Sequence, residues 1–151
     1  MTKLGRVSAA VLAVLLLATG CSKSSSTESP GTQAPGGSGS ASPTTITIGT
    51  DTANDHGVAA VTGQSSLVMG QNDFYFEPTV ITGSAGQTLT IHLTNNGSVP
   101  HTFTSDTLKI DDTLSPGQTM DVQVTFPDSG FTEFYCRFHR SKGMVGELTV
   151  S

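Results

Sequence analysis

Alternating apolar and polar side chains mark two segments in the second half of the chain. The apolar positions lie at Leu89, Ile91 and Leu93 within 87–94, and at Met120, Val122, Val124 and Phe126 further on. A period of two is typical of a β-strand with one buried face. We therefore expect these side chains, Met120 included, in a core, and His92 on an exposed face.

Shorter apolar runs between turn residues predict further strands. They cover 45–50, 66–69, 72–76 together with 79–82, 131–136 and 145–150. We interpret 72–82 as one strand interrupted by Pro78, Met69 as a core residue, and His56 as a turn residue rather than a ligand. No long segment has a helical period, so we predict an all-β fold, a Greek-key sandwich of two sheets.

The first 21 residues have the features of a bacterial lipoprotein signal peptide. Lys3 and Arg6 precede the apolar stretch 7–18, which at 12 residues is shorter than the roughly 20 that span a bilayer. The stretch ends in Ala-Thr-Gly-Cys at 18–21, which is similar to a lipobox. We expect lipidation at Cys21 and an extracytoplasmic location, anchored to the cell membrane. The alternative is an ordinary secretory peptide.

Composition separates a linker from a folded domain. Residues 22–45 contain 8 Ser, 4 Thr, 4 Gly and 3 Pro, which favours a disordered linker. Residues 46–151 are expected to form one domain, in which four cations against eleven acids give a net charge of −7. This charge argues against nucleic acid as a partner. Three of the four cations are Arg137, Arg140 and Lys142, which either attract an acidic partner or are simply solvated.

The chemistry of the chain concentrates in 136–144. Cys136, His139 and Met144 lie between two predicted strands with the spacing Cys-x2-His-x4-Met, and His101 can supply a second imidazole. A thiolate, two imidazoles and a weak thioether form the blue-copper ligand set. Zinc and a metal-free buried thiol are the alternatives for these residues. A disulfide is disfavoured because Cys21, the only other cysteine, lies in the targeting motif.

Four segments together resemble the plastocyanin-like cupredoxins. They are Asn-Asn-Gly-Ser-Val-Pro-His at 95–101, Ser-Pro-Gly at 115–117, Gly-Phe-Thr-Glu-Phe-Tyr-Cys at 130–136 and the ligand loop with the Val-Gly that follows it. The resemblance covers roughly 72–151. It implies a cupredoxin-like Greek-key sandwich and one type 1 copper ion bound by His101, Cys136, His139 and Met144.

Three positions depart from the pattern of that family. Phe138 stands where a proline usually precedes the second histidine, and Thr102 stands where an asparagine often follows the first. An acidic cluster of the plant proteins is reduced to Asp106. A plant-type partner surface is therefore not expected.

The resemblance implies electron transfer. Together with the N-terminal segments, it leads us to expect a membrane-tethered carrier of single electrons between membrane or extracytoplasmic redox proteins. We expect the protein to be a monomer. The alternative from another class is a copper-binding or copper-delivery lipoprotein, in which the metal is cargo. We do not expect an enzyme, because multicopper enzymes need further histidine clusters and only His56 and His92 remain. Tyr135, next to Cys136, is either a second electron route or a packing residue.

Overall fold

A computed structural model of the chain describes residues 44–151, and these fold almost entirely into β-strands. One strand set forms a small hairpin: β1 Thr45–Ile48 and β2 Asp51–Asn54. The remaining ten are β3 Val58–Ala60, β4 Ser66–Asn72, β5 Tyr75–Glu77, β6 Val80–Gly83, β7 Thr88–Asn95, β8 His101–Ser105, β9 Ile110–Leu114, β10 Thr119–Thr125, β11 Phe131–Tyr135 and β12 Val145–Val150. A single 3-10 turn, Arg140–Lys142, interrupts the strands of this part of the chain.

The ten later strands form two sheets that enclose one core. The four-stranded sheet has the order β10-β7-β4-β5, and the six-stranded sheet has the order β3-β6-β12-β11-β8-β9. Both sheets mix parallel and antiparallel pairs. In the first, β7 pairs parallel with β4 and antiparallel with β10. In the second, β12 pairs parallel with β6 and antiparallel with β11. This arrangement confirms the predicted all-β sandwich.

Aromatic rings fill the centre of the core. The rings of Phe103 and Phe134 stack with their centroids 4.9 Å apart, and Phe76 meets Phe134 edge-on at 5.1 Å. Gly146 lies directly opposite Phe134 in the ladder, and a Cβ atom there would come within 2.4 Å of that ring. The absence of a side chain at Gly146 therefore lets the ring lie against β12, beside the loop that carries the metal-ligand candidates.

The alternating segments behave as predicted, with one partial exception. Leu89, Ile91, Leu93, Val122, Val124, Phe126 and Met69 are all buried. His92 is exposed, and its Nδ1 lies 2.6 Å from Oδ1 of Asp121. Met120 is only half-buried, because it packs against the edge of the core rather than within it.

The prediction of one interrupted strand over 72–82 is wrong. The two halves belong to different sheets: β5 pairs with β4, and β6 pairs with β12 and β3. The chain changes sheet at Pro78, and the Thr79 hydroxyl stabilises this corner by hydrogen bonds with the carbonyl oxygens of Asn54 and Phe76, each at 3.0 Å. Strands β2, β3, β8 and β9 were also not predicted, because most are short and rich in Asp, Ala, Thr or Ser.

The β1–β2 hairpin covers the outer face of the six-stranded sheet near β12. Ile48 and Ala53 form a small second core with Val145, against which Ile46 and Tyr135 pack. Residues 46–70, which lie outside the family resemblance in sequence, therefore supply β1 to β4, and the hairpin braces β12 from outside. Among the described residues, no helix has the length and apolar character needed to cross a membrane.

Glu147 should destabilise the fold at neutral pH. It is half-buried on β12, directly opposite Glu133, and burial raises its pKa above the ordinary value of 4.5. A pKa that is higher in the native state than in the unfolded state means that stability falls as pH rises from the ordinary pKa through the raised one. We expect Glu147→Gln to raise the free energy of unfolding by about 0.2–1 kcal/mol at neutral pH.

Urea unfolding of the two proteins tests this expectation. The gain should disappear below the ordinary carboxyl pKa, where wild-type Glu147 is protonated in both states. Glu77→Gln, at an exposed position, is the control and should change little. A gain that is the same at acidic and neutral pH would contradict the explanation.

Candidate metal centre

A short closed loop between β11 and β12 carries three of the predicted ligands. The N–H of Cys136 donates to the carbonyl oxygen of Met144 at 3.0 Å, so the first and last ligands of the loop are paired directly. Inside the loop, the N–H of His139 donates to Cys136 O at 3.0 Å, and the N–H of Met144 donates to His139 O at 3.2 Å. The backbone thus fixes all three positions relative to one another.

Glycine at position 143 allows the backbone to adopt this tight loop. It ends the 3-10 turn with φ of 86°, in the left-handed region that suits glycine. A Cβ atom at Gly143 would also come within 2.9 Å of the Asn54 side chain. The loop therefore needs glycine both for its backbone angle and for its contact with the β1–β2 hairpin.

His101 reaches the same point from β8. Its ring is completely buried, while His139 is half-buried at the surface. Nδ1 of His101 lies 3.1 Å from Nδ1 of His139 and 3.8 Å from Sγ of Cys136, and Nδ1 of His139 lies 3.4 Å from the same sulfur. The three donor atoms lie within 4.8 Å of one another, so these residues can hold one metal ion.

Met144 is completely buried at the end of the loop. Its backbone position is fixed, and its role as a fourth ligand stays a prediction. The donor set of one thiol, two imidazoles and an adjacent thioether fits copper, since soft sulfur donors select copper and imidazole also suits Cu(II). A zinc site with a thioether would be unusual.

Burial disfavours the protonated form of both imidazoles. Desolvation lowers the pKa of His101, and it also lowers the pKa of His139, where the positive charge of Lys142 acts in the same direction. Metal ions bind the neutral imidazole, so a lowered pKa reduces competition from protons. The site is therefore prepared for a cation before one binds.

Thr102, the residue after His101, supplies a hydrogen bond to the cysteine sulfur. Its backbone N–H donates to Sγ of Cys136 at 3.3 Å. Its hydroxyl accepts from the N–H of Arg137 at 2.8 Å, and it is bonded in turn to Thr104 Oγ1 at 2.9 Å. Thr102 thus connects β8 to Arg137, the residue after the cysteine. A threonine can make this connection in place of the asparagine that is common at this position in the family.

The turn between β4 and β5 contributes two residues that sequence reasoning missed. Oδ1 of Asp73 lies 3.4 Å from Nε2 of His101, and the ring of Phe74 meets His139 edge-on with centroids 5.0 Å apart. Phe74 has φ of 75°, which is a strained angle for a bulky residue. The ammonium of Lys142 lies 4.2 Å above the same ring. This turn therefore covers both histidines.

Asn54 links that turn to the ligand loop. Its Nδ2 donates to the carbonyl oxygen of Phe74 at 2.8 Å and to that of Lys142 at 2.9 Å. Its own N–H donates to Gly143 O at 2.9 Å. One side chain on β2 thus holds two separate segments of the site together.

The two arginines of the loop are paired with acids. The pairs are Arg137 with Asp111, Arg140 with Asp51 at 2.7 Å, and Arg140 with Glu133 at 2.5 Å. Arg140 also lies over the Tyr135 ring, 4.2 Å from its centroid. The cluster that looks positive in the sequence is therefore largely neutralised in the fold.

The remaining sequence candidates lie elsewhere. His56 lies in the loop between β2 and β3, where its ring stacks on Tyr75 at 3.4 Å, and His92 is on the exposed face of β7. Neither joins the donor cluster. Cys136 is a free, buried thiol, and Cys21 lies outside the described residues.

Comparison with known proteins identifies similar chains. A family model described as a cupredoxin-like domain matches residues 9–150. Chloroplastic plastocyanin of Oryza sativa subsp. indica is 33% identical over 88 residues, which cover 50% of this chain and 54% of that protein. The chain thus spans about half the length of this relative. Plastocyanin of Lactuca sativa is 29% identical over 103 residues, covering 58% of this chain and 100% of that protein.

Solved structures agree on the fold. The metal-binding domain of a Cu(I)-exporting P-type ATPase from Streptococcus pneumoniae superposes with a TM-score of 0.52, covering 64% of this chain and 97% of that one. The two sequences are only 14% identical, so the likeness concerns the sandwich alone.

Removing the Asn54 side chain should loosen the site. Asn54→Ala deletes two donated hydrogen bonds, each worth about 0.5–1.5 kcal/mol, and we expect a loss of about 1–3 kcal/mol in the free energy of unfolding. Amide exchange at Met144 should also become faster. Denaturant unfolding and hydrogen exchange of the metal-free protein measure both effects.

Asn72→Ala is the matched control, since that amide reaches only the exposed Glu77 carboxylate at 3.5 Å. Equal losses in the two variants would mean that Asn54 does not brace the loop.

Proposed function

Since the chain belongs to the cupredoxin-like family, we propose that it is an electron-transfer protein that uses one copper ion held by His101, Cys136, His139 and Met144. The observation that carries this proposal is the convergence of one thiol and two imidazoles, whose donor atoms lie within 4.8 Å of one another. Copper, when bound, supplies the one-electron couple between Cu(I) and Cu(II).

The protein contributes rigidity and exclusion of water. Cys136 and His101 are fully buried, and the loop is closed by its own backbone bonds and braced by Asn54. Donors that are already held in place move little when the charge of the site changes. A small rearrangement makes single-electron exchange fast, which is the property that a carrier needs.

His139 is the proposed electron port. It is the only one of the four predicted ligands that is not fully buried, and its neighbour Phe138 is 49% exposed. A partner docked on Phe138 would thus approach the edge of a ligand ring. Apolar contact around this residue favours docking more than charge does, because Arg137 and Arg140 are already paired with acids.

Burial of the donors favours a carrier over a copper-delivery protein. Delivery requires ligands of the receiving protein to reach the metal while it is still bound. Three of the four predicted ligands have no exposed surface, and the fourth is only half-buried. His56 and His92 lie apart from the donor cluster, so the described residues bring together one group of histidine and cysteine donors.

The N-terminal segments support a tethered carrier. We propose that Cys21, which lies outside the described residues, bears a lipid that anchors the protein outside the bacterial cell membrane, and that the predicted linker is a tether. The structure shortens that linker at its end, because Thr45 already belongs to β1 and Thr44 is bonded to Asp55. A linker of this composition has an end-to-end distance of roughly 25–30 Å. Monomeric domains on such tethers can meet membrane or extracytoplasmic redox proteins, which are the proposed partners.

Loss of the thiolate should abolish the visible colour of the copper protein. Thiolate bonded to Cu(II) is the defining feature of a blue-copper site, so we expect an intense visible band from the oxidised wild type and none from Cys136→Ser. Absorption spectroscopy after copper loading measures this. Cys21→Ala is the control and should keep the band; a band in Cys136→Ser would assign the metal to other residues.

The same Cys21→Ala variant tests the anchor. Without the cysteine no lipid can be attached, so the protein should move from the membrane fraction to the soluble fraction of cells that express the full chain. Immunoblotting of the two fractions measures the change. Retention in the membrane fraction would show that something else anchors the protein.

A further inference from the structure

The side chain of Asp73 lies on the opposite side of the His101 ring from the donor cluster. Nε2 of His101 is 3.4 Å from Oδ1 of Asp73, while Nδ1 faces His139 and the Cys136 sulfur. The two ring nitrogens therefore have different partners. A carboxylate can only accept, so a hydrogen bond to Asp73 requires the proton on Nε2, which leaves Nδ1 with a free lone pair.

Ser98 orients this carboxylate. The backbone N–H of Ser98 donates to Oδ1 of Asp73 at 2.9 Å, and its hydroxyl donates to Oδ2 at 2.6 Å. Both hydrogen bonds are donated to the carboxylate, and they favour its charged form. Because both oxygens are engaged, the side chain cannot rotate away from the imidazole without losing them.

Gly97 provides the space for the contact. A Cβ atom at Gly97 would lie 2.4 Å from Oδ1 of Asp73 and 2.7 Å from Nε2 of His101, which no real side chain tolerates. The turn that holds Asp73 is fixed as well, since Asn54 donates to the carbonyl oxygen of the next residue, Phe74. Three separate segments are thus arranged to bring one carboxylate to one ring nitrogen.

We propose that Asp73 is a positioning residue for the metal centre: it fixes His101 in the Nε2–H tautomer and, through its negative charge, lowers the reduction potential. Carboxylate partners of ligating histidines fix the tautomer and raise ligand basicity. A negative charge favours Cu(II) over Cu(I), because the oxidised ion carries one more positive charge. The part on the potential rests on the proposed function; the part on the tautomer does not.

Two substitutions separate the acceptor from the charge. Asp73→Asn keeps an oxygen acceptor, since the Ser98 N–H still selects oxygen at that place, but removes the charge. Asp73→Ala removes both. Nitrogen-15 NMR of the His101 ring in the metal-free protein should report the Nε2–H tautomer in wild type and in Asp73→Asn, and a loss of that preference in Asp73→Ala.

The reduction potential of the copper-loaded protein tests the charge. Loss of such a partner typically changes metal affinity 10–100-fold, and we expect the ratio of Cu(II) to Cu(I) affinity in Asp73→Asn to fall about tenfold, a rise of roughly 59 mV. Asp128→Asn removes one charge at an exposed position and is the matched control. Ser98→Ala should give a smaller rise, because it frees the carboxylate without removing it.

The outcomes separate the two levels of the proposal. If copper does not bind, the proposed function fails, while the metal-free tautomer still decides the positioning role. An unchanged tautomer in Asp73→Ala overturns that role. A shift in potential no larger than that of Asp128→Asn, or a fall, overturns the role of the charge.

Discussion

The hydrogen bond between the N–H of Cys136 and the carbonyl oxygen of Met144 sets the size of the loop on which the metal centre depends. It continues the ladder of β11 and β12, so the first donor of the loop is positioned by the six-stranded sheet itself. The intervening residues must then close within one 3-10 turn, which places the His139 imidazole against the cysteine sulfur. Closing this loop therefore determines both the need for glycine at position 143 and the positions of the metal donors.

Polar contacts with other segments surround that loop, whose first and last ligands, Cys136 and Met144, also belong to the apolar core. Thr102 reaches the sulfur from β8, Asp73 reaches the buried histidine from the β4–β5 turn, and Asn54 reaches the loop from β2. Each comes from a different part of the chain. Buried donors and acceptors that satisfy one another specify a single arrangement, since breaking any pair leaves a polar group without a partner.

Sequence patterns predicted the parts of this centre that depend on local order. Cys136, His139 and Met144 are separated by fixed short spacings, and His101 ends a segment, 95–101, that resembles a family motif. Asp73 could not be found in this way, because its contact joins residues 28 positions apart and the residue alone resembles any turn aspartate. The change of sheet at Pro78 was missed because both halves of 72–82 have strand-like side chains, and only tertiary pairing distinguishes them.

The described chain begins at the open end of the β1–β2 hairpin, next to the residue that braces the ligand loop. The carbonyl oxygen of Thr44 accepts from the N–H of Asp55 at 2.8 Å, and Thr45 pairs with Asn54 at the open end of the hairpin. Opening the hairpin from this end would break the bond between Thr44 and Asp55 and then the pairing of Thr45 with Asn54. Asn54 also donates to the ligand loop and to the β4–β5 turn, so the first pair of the hairpin and the brace of the metal centre share one residue.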